Sequence, residues 1–264
     1  MDTFGIVVVA ALSALIWVIA TRWLVVVVLS LLEGTPEEKR AGFVVGRMPV
    51  REDLLKVAMA SGGVQRGAEL LVAQALAEKW LLRERPARQG ELFSVFEPRP
   101  GAPAWANALK LELGHRPDRA KVLRSALHVV ERQRPALTSE LVQLCVFRPV
   151  WQKAVAIASV CFSGALSTLV FARLLEMAEG GRLEELFVWG VALVFTLAML
   201  GVALTLPTRT AFGERYLEWL LGATTAVADQ AEEGRLDDPR DVGLVVATRG
   251  LHAVRGKAYS ALLE

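Results

Sequence analysis

Any chemistry in this chain must come from a small set of side chains, beginning with three histidines. His115, His128 and His252 are scattered, with no second ligand at helical or hairpin spacing, so they do not read as a metal set. Cys145 and Cys161 are too few for a disulfide framework, and both read as apolar packing residues. Asp237, Asp238 and Asp241 gather three carboxylates, but beside Pro239 they read as a solvated turn and a helix cap. No glycine-rich phosphate loop with its lysine, no G-x-S-x-G elbow and no H-E-x-x-H occurs. The reading is therefore non-enzymatic, with no catalytic, cofactor or metal residue assigned.

The residues that do group by type are polar and basic. Gln65 and Arg66 open a helix after a Gly-Gly break, and Arg83, Arg85 and Arg88 lie on the hairpin that follows. In a helix-turn-helix with a wing, such a helix enters the major groove while wing arginines contact phosphates. Glu69 and Glu78 share that helix and no dense basic stripe accompanies it, which places nucleic-acid binding second to protein binding. A net charge of +2 does not suggest a polyanion partner for the whole chain.

The elements that must position these residues are read from hydropathy. Of the 264 residues, 53% are hydrophobic, more than soluble domains usually carry, and the excess falls in three blocks. Residues 4–32 form the first, about 150–177 the second and about 186–206 the third. Roughly 20 apolar residues suffice to cross a bilayer core, so each block predicts one transmembrane helix. The first is read as an uncleaved anchor: it is long, has no basic residue ahead of it and shows no convincing small-x-small cleavage site. Arg22 and Trp23 would sit at its membrane interface, with 24–32 continuing the span or lying along the interface. Ser159, Ser163, Gly164 and Ser167, with Gly190 and Gly201, offer small faces for helix packing in a hairpin of the other two spans.

Basic residues next to the blocks set the orientation: Lys39, Arg40, Arg47, Arg148, Lys153, Arg209 and Arg215 flank them, against an acidic link at 178–185. This predicts a multi-pass protein of a bacterial inner membrane, with its N-terminus outside and its C-terminus cytoplasmic.

Between the first two blocks, apolar spacing predicts a helix over 50–60, a break at Ser61-Gly62-Gly63, a helix over 64–79 and a hairpin from the runs 80–84 and 91–96. That order is winged-helix-like. Helices are also predicted over 104–113, 118–133 and 138–147, with Pro135 separating the last two, and after the third block over 214–231 and 242–254.

The order of several short pieces resembles a family of uncharacterised bacterial membrane proteins defined by a conserved domain. The pieces are 57–63 (VAMASGG), 75–82 (ALAEKWLL), 148–150 (RPV), 208–213 (TRTAFG) and 244–251 (LVVATRGL). The resemblance spans nearly the whole chain and implies an N-terminal span, a Gly-Gly helix-turn-helix cytoplasmic domain and paired C-terminal spans. It implies no activity and no site residues.

The fold class expected is thus a mainly α membrane protein: three transmembrane helices with a winged-helix-like α+β cytoplasmic domain. The divisions are an anchor at 1–32, a winged-helix-like part at 33–97, a helical part at 98–149, a transmembrane hairpin at 150–207 and C-terminal helices at 208–264. The expected function is a membrane-anchored interaction or scaffolding module contacting the lipid bilayer and a cytoplasmic protein or a second copy of itself. A membrane-tethered DNA-binding regulator and a small transporter subunit are the alternatives.

Overall fold

The computed structural model describes residues 43–84, 92–100, 102–152, 208–236 and 238–254, with isolated positions at 23, 154, 157, 158, 161, 165 and 259. The chain divides into two compact units, Met1–Gly34 with Arg148–Thr210, and Thr35–Phe147 with Ala211–Glu264. In the first, the described contacts include a bond from the Arg148 amide to the Thr208 carbonyl at 2.9 Å. The second holds the well-described core.

That core is built on α1, Leu54–Ala77, entered through a 3-10 turn at Arg51–Asp53. Gly62 and Gly63 leave helical geometry inside it, Gly63 at a φ of 70°, which a side chain would resist. The Gly-Gly break expected from sequence is therefore a kink between two helical halves. Beyond it every residue from Leu70 to Leu76 is buried, a pattern that requires neighbours on several sides. Those neighbours are chiefly α3, Arg119–Gln143, and α6, Pro239–Arg249. Small residues allow the approach: a Cβ on Gly67 would meet Val130 at 2.9 Å, and one on Gly243 would meet the Gln74 amide at 2.6 Å.

After α1, β1 (Leu81–Arg83) pairs antiparallel with β2 (Phe93–Val95), with Leu81 opposite Val95 and Arg83 opposite Phe93. Leu81 and Phe93 are fully buried and fasten the hairpin to the core. Next come α2 (Ala104–Leu113) and α3, then after the interruption α4 (Ala211–Ala223), α5 (Thr225–Glu232), α6 and a 3-10 turn at Leu251–Ala253. Two sequence boundaries differ. Pro135 lies inside α3 and does not end it. The helix expected over 214–231 is split at Thr224, which is buried with its hydroxyl donating back to the Leu220 carbonyl at 2.8 Å.

The membrane architecture requires correction. Among the described residues no helix is long and apolar enough to cross a membrane. The two longest described helices are not built as spans. α1 is 24 residues long but is broken at Gly62–Gly63 and carries Lys56, Arg66 and Glu69, while its apolar face is covered by α3 and α6. α3 runs 25 residues with charges throughout. The three blocks behind the expectation fall almost wholly outside the described residues, as do Arg22, Ser159, Ser163, Gly164, Ser167, Gly190 and Gly201. Trp23 is described, as helical and 69% exposed. Among the described residues the fold is a helical assembly with one two-stranded hairpin, and no described helix supports the expected three transmembrane helices, the membrane assignment or the multi-pass inner-membrane localisation.

Candidate docking groove between α2 and α3

Two elements and the turn between them build this surface. α2 ends at Gly114, whose φ of 70° suits glycine and whose amide bonds the Lys110 carbonyl. Asp118 then caps α3, its carboxylate accepting from the Lys121 amide at 2.7 Å. The intervening turn is held against the hairpin: the Phe93 amide donates to the Pro117 carbonyl at 3.0 Å, and Arg116 pairs with Glu84 at 3.2 Å. The first turns of α3 are thus fixed at both the cap and the preceding turn.

The spacing along α3 then sorts its side chains. Val122, Ala126, Val129 and Val130 enter the core, which leaves Lys121, Arg124, Leu127, His128 and Glu131 exposed along the opposite stripe. Glu112 reaches across from α2, where its carboxylate lies 3.0 Å from His128 Nδ1 and 3.2 Å from Arg132 Nη1. Beside this contact is an open cavity of about 480 Å³, lined by Glu112, Lys121, Arg124, Ser125, Leu127, His128 and Glu131. Leu111 is 83% exposed on α2, and Leu127 is exposed on the groove wall.

The electrostatics are uneven. Glu112 is engaged by His128 and Arg132, whereas the Lys121 ammonium and the Arg124 guanidinium have no ion-pair partner among the described residues. From 119 to 134 the chain carries five basic residues against one acidic, Glu131. The positive end of the helix dipole lies at the same end as Lys121 and Arg124.

The residues singled out from sequence go elsewhere. Gln65 is exposed, with its amide 3.4 Å from Glu69. Arg66 lies over the kink and against Gly250, its Nε 3.8 Å from Glu69, and its buried Nη1 has no hydrogen-bond partner among the described residues. Glu69 also accepts from the Leu251 amide at 3.0 Å. Gln65, Arg66 and Glu69 thus gather at the junction of the kinked helix with the C-terminal turn. Arg83 is half-buried on β1, and Arg85 and Arg88 lie outside the described residues. His128, which sequence spacing leaves outside any metal set, lies across the groove from Glu112, its Nδ1 3.0 Å from the carboxylate. The available signal is the exposed stripe Lys121, Arg124, Leu127, His128 and Glu131 at steps of three and four, a charged face interrupted by one leucine. Its partner Glu112 is on another helix, and sequence spacing does not reveal that approach.

Among the described residues no group of three or more histidine, cysteine or acidic side chains is placed to hold a metal ion. No protein family, curated protein or solved structure matches the chain, so what the groove does must follow from its own residues.

Proposed function

We propose that the protein is a non-enzymatic interaction module and that the α2–α3 groove is the surface by which it holds a protein partner. The observation behind this reading is an open cavity with exposed leucine on its wall and, on its rim, two cations without an ion-pair partner among the described residues. Leu127 offers one apolar contact inside a charged rim, and interfaces pair such contacts with polar surroundings. Nucleic-acid binding is less well supported, because the helical half that would enter a major groove has Leu70 to Leu76 buried in the core and Arg66 turned against Gly250.

A photo-crosslinking residue at position 127 tests the proposal, with one at exposed position 218 on α4 as the control. The expected result is a reproducible protein adduct, identified by mass spectrometry, from 127 and not from 218. Equal labelling from both positions, or none from 127, would overturn it.

A further inference from the structure

We infer that the occupant of this groove is an acidic amphipathic peptide segment, with an apolar side chain against Leu127 and carboxylates on Lys121 and Arg124. The inference rests on the docking reading above and adds the chemistry of the partner. Lys121 and Arg124 are three residues apart on one helix face, so their Cβ atoms are about 5–6 Å apart. Two carboxylates one helical turn apart in a ligand match that spacing.

The remaining rim charges define the opposite end. Glu112 is paired with Arg132 and lies 3.0 Å from His128 Nδ1, and Glu131 stands exposed about two turns beyond Arg124, with Arg134 exposed one turn further on. A uniform polyanion following α3 would meet the Glu131 carboxylate between Arg124 and Arg134, whereas a peptide can place a neutral or basic residue opposite it. A single carboxylate set among cations favours a peptide of mixed charge over the uniform charge of a nucleic-acid backbone. The open cavity of about 480 Å³ beside these cations leaves room for an apolar side chain against Leu127.

The test is selection of a phage-displayed random peptide library on the full chain, on the K121E/R124E chain, on L127D and on R215E, a change at an exposed site on α4. Melting of each chain establishes that it is folded, and all four substituted side chains are exposed. The unmodified chain and R215E are expected to enrich peptides with paired acidic residues beside a leucine or phenylalanine. The charge reversal should bind those peptides at least tenfold more weakly and enrich paired lysines, and L127D should lose the apolar preference. Enrichment of neutral or basic peptides by the unmodified chain would overturn the inference, as would no enrichment, or a preference untouched by K121E/R124E. In those cases a surviving crosslink at 127 retains the docking surface with a different occupant, and loss of both removes the docking reading too. A DNA duplex that binds the unmodified chain and not K121E/R124E would assign the cations to a polyanion and likewise overturn it.

Discussion

Gly213 faces backbone rather than a side chain that can yield: a Cβ there would lie 2.5 Å from the Val146 carbonyl oxygen. Gly213→Ala must displace either α4 or the segment after α3, and a loss of about 1–3 kcal/mol is expected. Gly222, on the same helix, is exposed and a Cβ there would meet no neighbouring atom within 4 Å, so Gly222→Ala is expected to stabilise by about 0.5–1 kcal/mol. Thermal melting of the two variants should shift in opposite directions, and a shared direction would contradict the packing described. Tyr216 packs against Phe43, Phe212 and Trp219, and its buried hydroxyl has no hydrogen-bond partner among the described residues. Burial first, and then the Asp53 carboxylate, push its ionisation above the ordinary value of 10.0. For Lys56, burial works against the charge, but Glu140 at 2.9 Å and Asp53 at 3.1 Å outweigh it and raise the ammonium above 10.5. Both groups are raised in the folded state, so both stabilise fully below their ordinary values and lose that contribution as pH rises past them. Urea unfolding should give constant stability from these two groups up to about pH 10 and a decline above it. Tyr216→Phe removes an unsatisfied hydroxyl, so it should be neutral or mildly stabilising at pH 7 and show a shallower alkaline decline, with the Lys56 part remaining.

At the scale of elements, the main discrepancies between sequence and structure arise where helices end without their usual markers. α1 stops beside Lys79, at a φ of 63°, and the segment after α3 turns at Cys145, at a φ of 58°. Both are left-handed positions where glycine is the usual stop, and without one the pattern over 138–147 extends past the actual end of α3 at Gln143. Pro135 misleads in the other sense. It cannot donate to the Glu131 carbonyl, yet α3 continues because Leu137 and Leu141 are buried beyond it and Glu140 pairs with Lys56. By contrast, the Gly62–Gly63 break, the hairpin and the start of α3 beside Asp118 are legible, because each rests on local chemistry that two or three residues supply. The groove is only half legible: its α3 stripe follows from spacing, while the approach of Glu112 depends on how α2 packs. Lys79→Gly is expected to stabilise by about 1 kcal/mol, since an exposed side chain leaves a strained backbone position. Pro135→Ala, also exposed, restores a helical donor and should stabilise by about 1–3 kcal/mol. If melting showed either substitution to be destabilising, the stop of α1 at Lys79 or the continuity of α3 through Pro135 would be wrong.

For the whole molecule, the decisive feature is that one unit is assembled from two separated stretches, Thr35–Phe147 and Ala211–Glu264. The second stretch is structural to the core and not an appendage. Every residue of α6 from Val242 to Thr248 is buried, and α6 packs along α1 with Gly243 against Gln74 and Leu54. Leu251 then carries the chain into the Glu69 contact, and the Ser61 hydroxyl bonds the Ala247 carbonyl. Removing α6 and the turn after it would expose that side of α1 and strip Val242, Leu244, Val245, Val246 and Leu251 of their burial. At about 1.5–3 kcal/mol for each large side chain, the loss approaches or exceeds the whole margin of about 5–15 kcal/mol by which a domain is folded. A chain ending after Leu236 is therefore expected to lose cooperative unfolding and to bind a hydrophobic dye, by circular dichroism and fluorescence. Supplying a peptide covering 238–254 should partly restore the transition, because the contacts it makes are to a surface already defined by α1. The groove between α2 and α3 should fail in the truncated chain as well, since α3 is held in place by packing on that same helix. Retention of a sharp melting transition by the truncated chain would show that the first stretch folds alone and would separate the groove from the C-terminal helices.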